Sequence, residues 1–213
     1  MKHLIIVGAG GMGRSVYWVA QGCHGYGETF DIKGFIDDDL TSQDGYEGYP
    51  PLLGTIDNYQ IEEDDVFHCS IGDVKTKYAV CEKLKSRGAK FLTLIHNTAV
   101  IHPHTTIGDG CFLGEYAIVG TEATIGENCL IQQFSVTSHD CRIGNYVRID
   151  THAVIVGGVE LKDRATVHTG AVVSHKVVVG EDAVVAACSL VIKKVKPGTV
   201  VYGNPARRLD FYE

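Results

Sequence analysis

The sequence predicts two domains of different fold class, an α/β domain over residues 1–94 and an all-β parallel β-helix over residues 95–213. Two observations support this division. A glycine-rich turn follows the first apolar segment, as at a strand–helix connection, and from Ile95 onward an aliphatic residue recurs at every sixth position. The composition, with 21% charged and 45% hydrophobic residues, is that of an ordinary globular protein and argues against wholesale disorder.

The first 94 residues alternate between short apolar runs and helix-like segments. We expect one helix directly after the glycine turn and a second from about Thr76 to Ser86. Strands are expected on either side of these helices, at His3–Val7, Ile32–Ile36, Val66–Ser70 and Lys90–Leu94. This order predicts a small, Rossmann-like parallel sheet covered by helices.

Gly8, Gly10 and Gly13 form a GxGxxG pattern, and Asp37-Asp38 closes the second predicted strand. Such a turn lets backbone N–H groups approach a phosphate, while a carboxylate can bind a ribose or sugar hydroxyl. A domain this short holds little more than one mononucleotide-binding half, so a nucleotide sugar fits better than NAD. The alternative is that the glycines serve only a tight strand–helix turn.

From Ile95 the chain contains seventeen consecutive hexads without insertion, and Thr137 is the one anchor that is not aliphatic. The anchors are Ile95, Ile101, Ile107, Leu113, Val119, Ile125, Ile131, Thr137, Ile143, Ile149, Ile155, Leu161, Val167, Val173, Val179, Val185 and Val191. A period of six does not match the 3.6-residue period of an α-helix. It matches a parallel β-helix in which three flat sides of six residues make a coil of 18.

The fifth position of each hexad holds a small residue or Val, which suits a narrow interior already filled by the anchors. Three of the seven cysteines, Cys111, Cys129 and Cys141, fall at this position, and we expect them to be core residues. Glycine often follows the anchor directly. We expect these glycines to serve the corners, where the backbone can require a positive φ.

His139 and Asp140 occupy the third and fourth positions of the hexad anchored by Thr137, so we expect them near a corner and outside the apolar stack. Neutral imidazole is the usual proton acceptor near pH 7, and an adjacent carboxylate orients the ring and favours its protonated form. The alternative is a surface turn with two polar residues.

Charge and composition exclude several classes of protein. The net charge of −7 argues against a nucleic-acid-binding surface. The first ten residues hold an apolar run too short for a signal peptide or a membrane span, and the seven cysteines show no CxxC spacing. We therefore expect a cytoplasmic protein without structural disulfides.

The hexad repeat resembles that of the left-handed β-helix acyltransferases, which are usually trimers with acetyl-CoA bound in clefts between neighbouring helices. Together with the glycine-rich start and the GYPPLLG segment (Gly48–Gly54), the chain is similar to one subgroup of them. This subgroup contains sialic acid O-acetyltransferase-like proteins and N-acetyltransferases acting on UDP- or GDP-linked amino sugars. The resemblance implies acetyl-CoA as co-substrate, a nucleotide-sugar acceptor and a homotrimer.

The resemblance also implies roles for individual residues. His139 matches the catalytic base, and Asp140 matches its orienting carboxylate, which is commonly Glu in the family. Positions that contact the coenzyme correspond here to Arg148, Gly157, Thr169 and Ala187, and the first of these is usually His. Positions that contact the substrate correspond to Gly10, Gly11, Met12, Asp37, Asp38 and Gly72, where Met12 replaces another family His. The choice of sugar, and of N- or O-transfer, stays open.

The sequence leaves two alternative functions to consider, a zinc enzyme and a non-catalytic binding protein. Some hexapeptide helices are zinc carbonic anhydrases, but the histidine spacing differs here from the set that zinc requires, so we expect no metal. A non-catalytic nucleotide-sugar-binding protein is the second alternative. No Ser or Cys lies beside His139 as an obvious covalent nucleophile, which favours direct transfer of the acetyl group.

Overall fold

A computed structural model describes residues 1–209, so the end of the predicted C-terminal tail, residues 210–213, lies outside the described part of the chain. The chain divides into two compact units, one spanning Met1–Asn97 and the other beginning at Thr98. Within residues 1–209, no helix has the length and apolar character needed to cross a membrane.

The first unit is a three-stranded parallel sheet with two helices, and its elements are β1 (Lys2–Val7), α1 (Gly11–Ala20), β2 (Phe30–Ile36), β3 (Asp65–Cys69), α2 (Val74–Ser86) and β4 (Leu94–Ile95). The strand order is β2–β1–β3, with both neighbours parallel to β1. The central strand is apolar and fully buried from Leu4 to Val7, as expected for a parallel strand covered on both faces. The predicted α/β layout is confirmed.

The predicted strand Lys90–Leu94 is wrong. This segment pairs with β3 only at Phe91, through an isolated bridge to Phe67. The Phe67 N–H donates to Lys90, and the Leu92 N–H donates to the Phe67 carbonyl. Contact at a single residue is too short to form a ladder, so the apolar character of the segment reflects local packing instead of a fourth strand.

The glycine turn joins β1 to α1, and its glycines have different roles. Gly8 has a φ of 94°, which is costly for a residue with a Cβ. A Cβ on Gly13 would overlap the Gly8 carbonyl oxygen, so the helix packs tightly against the end of β1. A Cβ on Gly10 or Gly11 would meet nothing within 4 Å. The first pair therefore shapes the turn, while the second pair faces open space.

The second unit is a left-handed parallel β-helix of about six coils. Its strands are β5 (Val100–Ile101), β6 (Thr106–Ile107), β7 (Phe112–Leu113), β8 (Ile118–Val119), β9 (Thr124–Ile125), β10 (Leu130–Ile131), β11 (Val136–Thr137), β12 (Arg142–Ile143), β13 (Arg148–Ile149), β14 (Val154–Ile155), β15 (Glu160–Leu161), β16 (Thr166–Val167), β17 (Val172–Val173), β18 (Val178–Val179), β19 (Val184–Val185), β20 (Leu190–Val191), β21 (Val200–Tyr202) and β22 (Arg207–Arg208). The second residue of every strand from β4 to β20 is a predicted anchor. The hexad prediction is confirmed.

The strands stack into three faces. Face A contains β7, β10, β13, β16, β19, β21 and β22; face B contains β5, β8, β11, β14, β17 and β20; face C contains β6, β9, β12, β15 and β18. From β5 to β20, each strand residue pairs with the residue 18 positions along the chain, for example Val136 with Val154. The last turn is shorter, since β21 pairs with β19 at a spacing of 16. The corner between two faces is named by both letters, so that residues 139–140 lie at the B/C corner and residues 169–170 at the A/B corner.

The expected reason for the glycines after the anchors is corrected by the structure. The residue with positive φ is the fourth of the hexad, and it is usually not glycine, as at Asp140 (58°) and His152 (61°). Where glycine does follow the anchor, it has another role. A Cβ on Gly108 would lie 2.8 Å from the Gly126 carbonyl carbon, and a Cβ on Gly120 would lie 2.6 Å from the His139 nitrogen. These glycines let one coil approach the next.

The interior of the β-helix is filled as predicted. Cys111, Cys129 and Cys141 are fully buried and form no disulfide with one another, and the Cys111 Sγ donates to the Gly126 carbonyl at 3.0 Å. Thr137 is equally buried, and β11 pairs regularly with β8 and β14. The one polar anchor therefore causes no break in the ladder.

The first unit contains a pH-sensitive element. Burial, reinforced by the charge of Lys77, lowers the pKa of His68 from 6.5 to about 3. Because the unfolded chain binds this proton more tightly than the folded chain, the neutral His68 stabilises the fold above pH 6.5, and this stability is lost as the pH falls toward 3.

We therefore expect the free energy of unfolding of the first unit to decrease below pH 6.5, by up to about 1.4 kcal/mol per pH unit. Urea unfolding followed by the fluorescence of Trp18, the only tryptophan, measures this slope. The control is His68→Asn, which cannot titrate and should flatten the slope between pH 6.5 and 5. An unchanged slope in the variant would contradict the assignment to His68.

Candidate active site

His139 and Asp140 form a hydrogen-bonded pair on the surface of the β-helix. The Nδ1 of His139 lies 2.6 Å from the Oδ2 of Asp140. The side chains are 58% and 64% exposed, respectively. With the carboxylate at Nδ1, the neutral ring carries its proton on Nδ1, and Nε2 keeps a lone pair that can accept a proton. The geometry is that of an oriented proton acceptor open to a substrate.

The coils above and below hold this pair in place. The Asp140 N–H donates to the Thr121 carbonyl, and the Gly158 N–H donates to the His139 carbonyl. A Cβ on Gly157 would lie 2.6 Å from both Cε1 and Nε2 of His139. The imidazole therefore lies directly over Gly157, and only glycine leaves room for the ring in this position.

Thr137 lies two residues before His139 and points into the core. Its hydroxyl has no hydrogen-bond partner in the described part of the chain. A buried hydroxyl without a partner is destabilising. The irregular anchor therefore carries a stability cost next to His139, although the strand that contains it is regular.

The predicted substrate-binding residues come together at one edge of the three-stranded sheet. Gly10, Gly11 and Met12 follow β1, Asp37 and Asp38 follow β2, and Gly72 follows β3. The carboxyl ends of parallel strands share an edge, and ligands of open α/β sheets bind there. The segments that follow β1 and β3 lie close to each other, because a Cβ on Gly8 would lie 3.4 Å from Ile71 Cγ1.

The two aspartates at this edge already bind backbone groups. Asp37 accepts hydrogen bonds from the Ala9 N–H at 2.7 Å and from the Asp39 N–H at 2.9 Å. Asp38 accepts from the Ile56 N–H at 3.0 Å. Both carboxylates therefore shape the glycine turn and its neighbouring loops. Contact of these carboxylates with ligand hydroxyls remains a prediction, and it requires the lone pairs that the backbone groups leave unused.

The sequence reasoning missed Arg14, in the first turns of α1. Its Nη1 donates to the Ala9 carbonyl at 3.2 Å and to the Ser42 carbonyl at 3.1 Å. Its guanidinium carbon lies 3.5 Å from the ring centroid of Tyr46, a cation–π contact. Arg14 thus ties the loop after β2 to the glycine turn. The sequence signal was present, because Arg14 is the only Lys or Arg between residues 2 and 33.

The predicted coenzyme-binding residues fall into two groups. Gly157 lies beneath His139 at the B/C corner, whereas Thr169 and Ala187 are exposed at the A/B corner. Arg148 lies on face A, two residues before that corner, and binds the Asp150 carboxylate through Nε at 2.6 Å. The two corners are the opposite edges of face B, roughly 15–20 Å apart for six residues at about 3.3 Å each. One chain therefore does not bring His139 to Thr169 and Ala187.

A basic cavity of about 260 Å³ lies at the last coil of the β-helix. Its lining includes five cationic side chains, Lys193, Lys194, Lys196, Arg207 and Arg208. Lys193 stands three coils beyond His139 at the B/C corner, which is about 14 Å at 4.8 Å per coil. In residues 1–209, no group of three or more His, Cys, Asp or Glu side chains is placed to hold a metal ion.

Comparison with known proteins agrees with this architecture. Residues 3–84 match the family described as the PglD N-terminal domain, and residues 92–181 match the GMPPB C-terminal domain. The acetyltransferase domain of PglB from Neisseria gonorrhoeae is 26% identical, with 98% of this chain and 100% of that chain covered and a TM-score of 0.89. A second structure of that domain contains acetyl coenzyme A. No match was found among curated protein sequences.

Two further solved structures have the same extent. WeeI from Acinetobacter baumannii is 27% identical, with 98% of this chain and 100% of that chain covered and a TM-score of 0.86. PerB from Caulobacter crescentus, in complex with CoA and GDP-perosamine, is 25% identical, with 99% and 98% covered and a TM-score of 0.87. The predicted resemblance is confirmed: over nearly its whole length the chain is similar to hexapeptide-repeat sugar acetyltransferases, and it is an acyltransferase.

The contact between His139 and Gly157 gives a first test of the site. In Gly157→Ala the new methyl group occupies the space of the ring, so we expect His139 to be displaced and kcat to fall by about 10²–10⁴-fold, the usual value of a general base. The double variant with His139→Ala should be no slower than His139→Ala alone, because both changes remove the same group. Additive losses in the double variant would show that Gly157 acts independently of His139.

Proposed function

We propose that the chain transfers an acetyl group from acetyl-CoA directly to an amino or hydroxyl group of a nucleotide-activated sugar, with His139 as general base. The observation that carries this proposal is the exposed His139–Asp140 pair, held over Gly157 by its backbone and by the hydrogen bond at Nδ1. Acetyl-CoA is the co-substrate, in agreement with the acetyl-CoA and CoA complexes of the related structures. We expect the reaction to take place in the cytoplasm.

The chemistry needs one proton acceptor and no covalent intermediate on the protein. As the acceptor nitrogen or oxygen attacks the thioester carbonyl, Nε2 of His139 takes its proton, and Asp140 stabilises the resulting imidazolium. Collapse of the tetrahedral adduct breaks the C–S bond. The proton held by His139 then passes to the departing sulfur, so the products are the acetylated sugar and CoA thiol.

The acceptor side of the proposal rests on the first unit. Gly10 and Gly11 are open at the start of α1, where backbone N–H groups favour a phosphate. The carboxyl edge of the sheet adds Asp37 and Gly72 within the same unit. The complex of PerB with GDP-perosamine supports a nucleotide sugar as the ligand class. Met12, which stands where related enzymes carry His, makes the sugar and the acceptor atom the open question.

The donor side rests on the second unit. The B/C corner holds the ring of His139, the exposed backbone of Gly157 and the basic cavity that begins at Lys193. These features span about 14 Å. An extended pantetheine arm has this order of length, and the phosphates of the coenzyme require cations. The cationic side chains are concentrated here although the whole chain carries a charge of −7. This distribution supports acetyl-CoA with its thioester at His139.

We also propose that the protein is a homotrimer with the donor cleft shared between neighbouring chains. The outward residues of face B are all aliphatic, namely Val100, Ile118, Val136, Val154, Val172 and Leu190. The outward residues of face C are mixed, namely Thr106, Thr124, Arg142, Glu160 and Val178. A continuous aliphatic face favours association with another copy. Within one chain, His139 is far from Thr169 and Ala187. A neighbouring copy would place its own Thr169 and Ala187 near this His139.

The trimer prediction is tested by placing a charge on face B. Val154→Glu buries an unpaired carboxylate in the proposed interface, so we expect sedimentation to show monomers and the activity to be lost. The control is Val178→Glu, the same change at the outward position of face C, which should leave the trimer intact. A wild-type monomer with full activity at micromolar concentration would contradict the shared cleft.

The function itself is tested by an acceptor screen. UDP-, GDP- and dTDP-linked amino sugars are incubated with acetyl-CoA and the purified protein, with release of free CoA thiol as the readout. We expect CoA release with at least one acceptor and a product heavier by one acetyl group. If a nucleotide sugar binds and no acceptor supports CoA release, the chain is a non-catalytic nucleotide-sugar-binding protein instead.

With a working acceptor, the role of His139 becomes measurable. His139→Ala should lower kcat by about 10²–10⁴-fold with little change in stability, because the side chain is mostly exposed. Asp140→Asn should cost less, since the base remains and loses only its orienting charge.

The matched control for these variants is Thr137→Val. It removes the buried hydroxyl without a partner and restores an aliphatic anchor, so we expect a gain in stability of about 1 kcal/mol. Acetyl transfer by Thr137→Val should remain measurable by the release of free CoA thiol. Turnover by His139→Ala at the wild-type rate would refute the proposed mechanism.

A further inference from the structure

Three aromatic rings are stacked at the A/B corner, and neither the hexad pattern nor the proposed mechanism accounts for them. The ring centroids of Tyr116 and Phe134 are 5.1 Å apart, with 14° between the ring planes. Those of Phe134 and His152 are 5.2 Å apart, with 10° between the planes. The three residues follow one another at intervals of 18, so they lie in successive coils. We call Tyr116, Phe134 and His152 the aromatic ladder.

The aromatic ladder is an unfavourable choice of residues for the fold alone. The φ angles of its members are 57°, 57° and 61°, in a region that bulky side chains rarely adopt. The rings are also exposed, Tyr116 by 55% and Phe134 by 48%. At the B/C corner, the equivalent positions from residue 122 onward are charged or glycine, namely Glu122, Asp140, Gly158, Lys176 and Lys194. Exposed aromatic surface repeated over three coils is typical of a surface that contacts a ligand or partner.

The aromatic ladder lies at the level of the proposed general base. Phe134 and His139 belong to the same coil and flank the two ends of β11. Tyr116 lies one coil before this level and His152 one coil after it. In the proposed trimer the A/B corner of a neighbouring chain faces His139, and rotation about an axis parallel to the β-helix keeps every residue at its own level. The aromatic ladder of one chain would therefore lie across the cleft from His139 of the next.

The distribution of charge distinguishes between the two substrates at this surface. Residues 91–141 contain no Lys or Arg, whereas the basic cavity begins at Lys193, three coils beyond His139. Phosphate groups require cations, so the donor belongs on the side of the basic cavity. The opposite side of His139, where the ladder extends to Tyr116, suits an uncharged group. The sugar ring of the acceptor is such a group, and its C–H surface can pack against aromatic rings.

A polar group lies beside the rings. Glu115 directly precedes Tyr116, and its Oε2 is buried with no hydrogen-bond partner among residues 1–209. A buried carboxylate oxygen without a partner is unfavourable. A hydroxyl or amino group of a ligand would supply the missing donor. A sugar presents both C–H surface and hydroxyl groups, so an aromatic wall with a carboxylate at one end matches its chemistry.

We propose that the aromatic ladder of one chain binds the sugar ring of the acceptor while that sugar is acetylated at His139 of a neighbouring chain, and that Glu115 accepts a hydrogen bond from the same sugar. This inference rests on the proposed function and on the shared cleft. It adds a sugar-binding surface on the second unit to the nucleotide-binding residues proposed for the first unit.

The test is steady-state kinetics with an acceptor that supports CoA release. Phe134→Ala removes the central ring, so the KM for the nucleotide sugar should rise about tenfold while the KM for acetyl-CoA stays within about twofold of the wild-type value. Phe134→Tyr keeps the ring and should behave as the wild type. Glu115→Gln should raise only the KM for the nucleotide sugar. The matched control is Tyr202→Ala, which removes a ring of similar exposure (50%) on β21 and should change neither KM.

Calorimetric titration separates the sugar ring from the nucleotide. The nucleoside diphosphate of the same acceptor should bind the wild-type protein and Phe134→Ala with equal affinity, because it lacks the sugar. The complete nucleotide sugar should bind the variant about tenfold more weakly. A variant that binds both compounds as the wild type does would contradict the assignment.

Thermal melting and sedimentation of the same variants test a purely structural role. If Phe134→Ala does not fold or assemble, Phe134→Leu, which keeps the apolar bulk without the planar ring, takes its place in the kinetic test. Lower stability with an unchanged acceptor KM, or an equal rise in both KM values, would overturn the inference. Dissociation of Phe134→Leu into monomers would also overturn it, because the ladder would then be an interface between copies. If no acceptor supports CoA release by the wild-type protein, the proposed function fails, and this inference with it.

Discussion

The inward stacking of one aliphatic side chain in every six residues is the constraint on which the rest of the second unit depends. The anchors fix the length of each side, and the fixed length puts residues 18 positions apart directly above one another. Every functional arrangement of this unit uses that register. His139 lies over Gly157, and the rings of Tyr116, Phe134 and His152 stack on one another, because each pair or triple is separated by 18 residues. The core thus determines the site geometry.

The same constraint explains why glycine and positive φ occupy different positions of the hexad. Where glycine follows the anchor, a Cβ would clash with the next coil, as the close approach of Gly120 to His139 shows. The turn itself is made two residues later, where Asp140 adopts the left-handed conformation. That conformation is unfavourable for most residues and is maintained by hydrogen bonds to the neighbouring coils. The backbone therefore positions the proposed catalytic pair, His139 and Asp140, before any substrate is present.

Much of this could be read from the sequence, and the limits have physical reasons. A strict period has one structural solution, so the strands of the β-helix were predicted residue by residue. The α/β unit is less periodic, and the apolar segment around Phe91 was mistaken for a strand because packing and pairing leave the same pattern. His139 was found through its motif. The contact between Asp150 and His168 was missed although the two residues are 18 positions apart. Such a contact is predicted only when residues are compared one full coil apart. Arg14 was missed although it is the only Lys or Arg between residues 2 and 33, because its backbone-carbonyl partners lie in loops whose position the sequence does not give.

In the proposed trimer, each donor cleft combines the B/C corner of one chain with the A/B corner of another. Complementation measures this arrangement: two inactive variants, His139→Ala and Ala187→Glu, are mixed and refolded together. Each variant lacks one corner, so a mixed trimer contains clefts in which an intact His139 faces an intact A/B corner. With random assembly about a quarter of the clefts are complete, and we expect recovery of roughly that fraction of wild-type activity. Mixed trimers that form and remain inactive would show that each chain builds its own site, and the shared cleft would then be wrong.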